Sequence, residues 1–130
     1  MILLKVNPAG SQLLYATYFG GSGTETLGGL AVDASGSAYI SGTTQSTDLP
    51  TTSGAFQSTW NPDTNYDQPT AAFVTKFTLA AKLLYATYLA GTAYDRGYGL
   101  AVDSAGNAYL GGQTFVDRFP PRQPTASEPI

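Results

Sequence analysis

Where residues of this chain alternate between two faces with a period of two, the spacing is that of a half-buried β-strand. In "GLAVD", Gly29 to Asp33, Leu30 and Val32 fall on one face and Ala31 on the other. "ASGS" follows as a turn, with Gly36 free to take a positive φ. "AYISGTT", from Ala38, is the next strand. These two are labelled A-type and B-type. A long segment, 43–70, separates them from "AAFVTKFT", a C-type strand predicted over Ala71 to Thr78. "LAAK" then leads into "LLYATYLAG", the D-type strand. The opening residues carry the same C and D pair, as "ILLKVN", "PAGSQ" and "LLYATYFGG". Lys5 aligns with Lys76 once one residue is removed from the second C–D turn. Asp33 and its counterpart Asp103 stand where a carboxylate caps turn amides.

The pattern is written twice at a constant offset. "LLYATYFGG" begins at Leu13 and "LLYATYLAG" at Leu83, 70 residues on, and "GLAVDASGSAYISG" and "GLAVDSAGNAYLGG" keep the same offset. The D-type strands are apolar on both faces: Leu13, Tyr15 and Phe19 on one, Leu14, Ala16 and Tyr18 on the other. A strand with two apolar faces belongs between two layers. Small residues such as Ala31, Ala38, Gly42, Ala101, Ala108 and Gly112 let sheets approach closely. Repeated four-stranded antiparallel units packed face to face describe a β-propeller, with a solenoid or a sandwich as the alternative.

At these residues the chain resembles the bacterial SBBP-type β-propeller repeat. The resemblance rests on "GLAVDASGSAYISGTTQSTDLPTTSGAFQ" and on "AFVTKF", "LLYATYLAG" and "GLAVDSAGNAYLGG" in succession. It implies propeller blades of the kind found in large exported bacterial proteins, hence an extracellular or cell-surface location. It implies no catalytic residue and no cofactor. Two departures stand out: "STWNPDTNYDQPT", 58–70, reads as an insertion, and the second unit breaks off after "DRFPPRQPTASEPI".

The fold expected is therefore all-β, two four-stranded antiparallel blades in strand order C-D, A-B-C-D, A-B. Residues 1–28 form strands C and D of a split blade, and 29–90 a complete blade with a long B–C loop at 43–70. Residues 91–118 form strands A and B of the split blade, and 119–130 a proline-rich arm or linker that cannot pair as a central strand. A propeller closes with roughly four to eight blades, so two cannot close alone. The chain is expected to be a fragment of a longer propeller, or its half-blades are completed between copies in a ring or filament. Because the two halves are complementary, completion between copies is the expectation carried forward. Function is then structural self-assembly, with a glycan- or protein-binding propeller module as the alternative.

Composition narrows the chemistry. The chain has 130 residues, a net charge of −3, no cysteine and no histidine. Disulfides and thiolate metal sites are excluded, and the commonest general base and metal ligand are missing. Nothing forms a basic stripe, so no nucleic-acid partner is expected. "MILLKV" is too short to span or insert into a membrane. An export signal would lie outside this chain.

Antiparallel order puts the Gly-rich D–A loops, 20–28 and 91–98, and the long B–C segment on one side. The candidate ligand-binding residues lie there. Trp60 and Tyr66, with Asp63 and Asp67 beside them, could stack on a sugar and bond its hydroxyls. The preferred reading is that Trp60 pins the loop to its own blade or packs against a neighbouring subunit, since aromatics also anchor interfaces. "DTNYD" resembles the first ligands of a calcium loop, but Gln68 stands where glycine should follow, which leaves calcium a weak prospect and no cofactor as the expectation. Glu25 and Asp95 hold equivalent positions and could ring a channel mouth, but no partner that would tune them for catalysis can be named. A non-enzyme is expected.

Overall fold

The computed structural model describes residues 1–115, so the proline-rich arm predicted at 119–130 lies outside the described residues. The described residues form eight strands and no helix: β1 (Ile2–Val6), β2 (Leu13–Tyr18), β3 (Glu25–Val32), β4 (Ala38–Thr44), β5 (Ala71–Phe77), β6 (Leu83–Leu89), β7 (Asp95–Val102) and β8 (Ala108–Thr114). They make a central four-stranded sheet, β3-β4-β5-β6, and two hairpins, β1-β2 and β7-β8, with every pair of neighbouring strands antiparallel.

The A-type strands start earlier than their alternation suggests, at Glu25 and Asp95 rather than after the Gly-rich loops. The register slips between Leu27 and Gly29, and again between Gly97 and Gly99. A bulge inserts one unpaired residue, so the alternation before it is out of phase with the alternation after it. That hid the first half of each strand. The A–B turns form as expected. Asp33 accepts from the Ser35 and Ser37 amides at 2.9 and 3.0 Å, and Asp103 from Ala105 and Asn107 at 3.0 and 2.8 Å. Gly36 and Gly106 take φ of 81° and 84°, the left-handed region. The alignment of Lys5 with Lys76 is seen in the ladders: Lys5 faces Tyr15, Lys76 faces Tyr85, and the register shifts just after each lysine.

The three sheets stack. One face of the central sheet carries Ala38, Ile40, Phe73, Phe77, Ala86 and Tyr88, all in the apolar core. The β1-β2 hairpin lays Leu3 and Phe19 on this face. The Phe19 ring lies 5.7 Å from Phe73 and 6.1 Å from Phe77, tilted on the first and edge-on to the second. On the opposite face lies β7, close enough that backbones meet. The Gly97 amide donates to the Thr43 hydroxyl at 3.2 Å. A Cβ at Gly28 would fall 2.1 Å from the Gly97 carbonyl oxygen, and one at Gly97 would fall 2.6 Å from that of Gly42. Only glycine allows this approach.

Gly29 and Gly99 occupy the same place in the two repeats but differ in surroundings. A Cβ on Gly29 would lie 2.9 Å from Leu100, whereas one on Gly99 meets nothing within 4 Å. Gly29→Ala is expected to destabilise by about 1–3 kcal/mol, the usual cost of overpacking. Gly99→Ala should be neutral or slightly stabilising in dilute solution, since alanine loses less chain entropy than glycine. Paired urea denaturation curves measure both.

Candidate functional site

The long segment between β4 and β5 has a structural role that its sequence did not disclose. It runs along the outer edge of β6. The Thr52 amide donates to the Ala86 carbonyl at 3.2 Å, the Ala86 amide to the Thr52 hydroxyl at 3.0 Å, and the Tyr88 amide to the Gln57 carbonyl at 3.0 Å. An edge strand otherwise presents a row of unpaired groups, and here the loop covers it. Tyr88 fastens the loop from beneath: its hydroxyl donates to the Ser46 carbonyl at 2.7 Å and accepts from the Leu49 amide at 2.9 Å. Burial pushes the Tyr88 phenol above its ordinary pKa, although the Leu49 hydrogen bond opposes this.

Trp60 belongs to this anchoring system. It is 2% exposed, its ring lies 6.1 Å from Tyr88, and its indole nitrogen donates to the Gly91 carbonyl at 2.8 Å. It pins the loop to its own sheet and offers no ring face on which a sugar could stack. Tyr66, exposed like Phe56 in the same segment, packs edge-on against Tyr94 at 5.6 Å. Tyr94 in turn meets Phe115 at 6.3 Å. Asp63 is taken up in a local turn, its carboxylate accepting from the Asn65 amide and side chain at 2.9 and 2.7 Å. Asp67 contributes its carbonyl to the Tyr94 hydroxyl at 2.6 Å. Among the described residues no group of three or more carboxylates or other strong ligands gathers as a metal site would.

Glu25 and Asp95 do the same work in each repeat, and it is inward work. The Glu25 carboxylate accepts from Thr44 at 2.8 Å and from the Ser46 hydroxyl, and Gly20 leaves room for its other oxygen. The Ser46 hydroxyl in turn accepts from the Gly23 amide at 2.8 Å. Asp95 is 0% exposed and accepts from the Gly91 amide at 2.7 Å, with the Thr114 side chain as a second partner. Each carboxylate ties the D–A loop to the end of the B-type strand. Neither stands free at a channel mouth. Burial raises the Asp95 pKa, and the Thr114 and Gly91 hydrogen bonds only partly offset it.

The most informative geometry lies on the outer sheets, and it is a comparison of identical residues. Tyr88 is 0% exposed, and Tyr18, its counterpart 70 residues earlier, is 82% exposed. Tyr39 is 0% exposed, and Tyr109, its counterpart 70 residues later, is 60% exposed. Ile2, Leu4 and Val6 are uncovered beside Tyr18, and Leu27, Leu30 and Val32 of β3 beyond the reach of the β1-β2 hairpin. One cluster is complete only in the central sheet. Tyr39 donates to Asp33 at 2.9 Å, and Lys76 stands 3.8 Å from the same oxygen and 4.9 Å above the Tyr39 ring. In the second repeat Tyr109 donates to Asp103 at 3.1 Å, but no lysine joins them among the described residues.

Burial would raise the Asp33 pKa, but hydrogen bonds from Tyr39, Ser37 and Ser35 and the Lys76 charge outweigh it and hold it low. The Ser22 amide lowers that of Asp48, and the Asn107 side chain and amide lower that of Asp103.

The SBBP family, described as a β-propeller repeat, matches residues 14–50 and 84–120, more than half of the chain. No curated protein matches it.

Two measurements test this site. Tyr88→Phe removes the loop's central fastening and strands a buried carbonyl and amide, which should cost about 1–3 kcal/mol and raise hydrogen exchange at Leu49. The carboxylates set a stability profile. Asp33, Asp48 and Asp103 are held low, so their contribution is present above the ordinary value of 3.8 and lost as pH falls below it. Asp95 is raised, so the folded chain holds its proton longer, and stability declines as pH climbs from 3.8 through the folded value. Asp95→Asn should abolish that decline and leave the acid limb intact, whatever its constant cost, in melting curves taken from acid to neutral pH.

Proposed function

The chain belongs to the SBBP β-propeller repeat family, and from that membership we propose that it is a non-catalytic structural module which assembles by completing its blades between copies. The central sheet is a full blade, A-B-C-D. The β1-β2 hairpin is the C-D half of another blade and β7-β8 is the A-B half. In an assembly, β7-β8 of one chain joins β1-β2 of the next, and the composite blade fills the gap between two central blades.

The observation that carries this reading is the contrast between paired tyrosines. Tyr18 and Tyr109 are exposed where Tyr88 and Tyr39 are fully buried, at the same places in the same repeat. The residues keep the character of a packed blade and lack the sheet and loop that cover their counterparts. Composite blades would cover each bare patch in turn. Ile2, Leu4, Val6 and Tyr18 would face the partly exposed Tyr85 and Leu89 of the preceding central blade. Tyr109 would face Leu30 and Val32 of the following one. Contiguous apolar patches of this kind mark association surfaces. The contact is head to tail, so it closes as a ring when the rotation divides a full turn and otherwise grows as a filament. The repeat's kinship with those of exported proteins supports placing the assembly outside the cell.

A second reading draws on the aromatic row Tyr66–Tyr94–Phe115, which leaves Tyr66 and Phe115 exposed on the loop side. Such a row can stack on a sugar ring of a surface glycan. It is compatible with assembly, and it replaces buried Trp60 by Tyr66 as the stacking residue.

Sedimentation of the 130-residue chain tests the first reading. Rings or filaments of defined mass are expected at micromolar concentration, and electron microscopy separates the two. A compact monomer that persists on concentration overturns it. Glycan binding lost in Tyr66→Ala supports the second reading, and glycan binding that survives Tyr66→Ala and Phe115→Ala removes it.

A further inference from the structure

Resting on that assembly reading, we infer that β8 of one chain pairs antiparallel with β1 of a second copy in one register, Leu110 opposite Leu4 and Tyr109 opposite Lys5, and that Lys5 completes the Asp103–Tyr109 cluster across the contact. The central blade supplies the template. There β4 pairs with β5 with Tyr39 opposite Lys76 and Ile40 opposite Thr75. Tyr109 and Leu110 hold the places of Tyr39 and Ile40, and Lys5 and Leu4 those of Lys76 and Thr75, as the Lys5–Tyr15 and Lys76–Tyr85 ladders fix.

The two halves of the cluster are complementary in charge and each is unfinished. Asp103 and Tyr109 form their mutual hydrogen bond at the B-type edge, with Asn107 bonded to the same carboxylate oxygen at 2.8 Å. Lys5 lies half-buried over the Tyr15 ring at 6.0 Å and forms no ion pair with any described carboxylate. In the central blade the equivalent lysine sits between the ring of Tyr39 and the Asp33 carboxylate, and its pKa is raised by its contact with Tyr39 and by the Asp33 charge, against the effect of burial. A second copy brings Lys5 to the same place. A partner of different sequence would have to supply an apolar strand with a cation at one position, and this chain already carries that strand.

The chain contains no cysteine, so introduced thiols report the contact without background. Leu4→Cys and Leu110→Cys are made in separate chains and mixed under oxidising conditions. Opposed residues of an antiparallel pair have Cα atoms about 4.5–5.5 Å apart, within disulfide reach. The expected product is a disulfide-linked dimer of the two variants, formed in higher yield than from Leu110→Cys mixed with Ile2→Cys, which sits two residues out of register. Lys5→Met keeps the stem and removes the charge. It should weaken association about tenfold at low salt, the combined worth of one partly buried ion pair and one cation–π contact. Assemblies of normal mass that cross-link better through Ile2→Cys, or not at all, overturn the register and leave the assembly reading standing. Normal assembly by Lys5→Met overturns the role of Lys5. A monomeric parent chain overturns both, and association only with an unrelated protein identifies a different occupant.

Discussion

A propeller blade is a sheet with no solvent side. Both faces of the central sheet carry close-packed residues, buried by the sheets and the loop that lie on them. On one face Phe73 and Phe77 meet Phe19; on the other Gly28 and Gly42 meet the backbone of β7. The hydrophobic contribution to stability therefore belongs to contacts between sheets. Arrays of this kind behave as nearest-neighbour systems, in which an outer unit is worth less than an inner one. The fully buried tyrosines of the middle sheet and the exposed ones of its neighbours are two readings of that rule within one chain.

The same constraint explains how the chain handles its edges. The outer edge of β6 is covered from within by the segment between β4 and β5, through Thr52 and Gln57. That cover is held by Tyr88 and Trp60, whose polar atoms are spent on the loop and on Gly91. The carboxylates Glu25 and Asp95 hold the D–A loops down by the same logic. The polar side chains that look most like a binding site in the sequence are thus mostly committed to closing the blade against water.

Local chemistry was legible in the sequence and distant chemistry was not. Alternation in the A-type strand, turn signals and the offset of 70 together located all eight strands, and the Asp33 and Asp103 turns followed from residue type. The bulges after Leu27 and Gly97 defeated the alternation, because one added residue reverses the phase of a period-two pattern. That Trp60 pins the loop to its own sheet was expected from its place in the segment, but its partners were hidden for a different reason. Its partners, Tyr88 and Gly91, lie some thirty residues away, and no periodicity connects them. The candidate residues divided accordingly: Tyr66 stays exposed, while Trp60, Glu25 and Asp95 turn inward.

The two repeats differ at one point that bears on geometry. Gly28 allows β7 to lie backbone against backbone on the central sheet, but Tyr98 holds the matching position in the second repeat. Its hydroxyl donates to Gln113 at 3.2 Å, so the side chain is engaged within its own hairpin. A blade stacked beyond β7-β8 cannot copy the approach that β7 makes to Gly28, because a Cβ stands there. In an assembly of the proposed kind, the inner strands would then part slightly at every second interface. In a closed ring the angle between blades is set at the inner strands, where sheets come nearest. Two alternating spacings, one glycine-tight and one tyrosine-wide, would repeat with each chain and set the rotation per chain. Were copies to assemble as proposed, whether that rotation divides a full turn would be the geometric condition for a ring over a filament, and residue 98 would be where the sequence adjusts it.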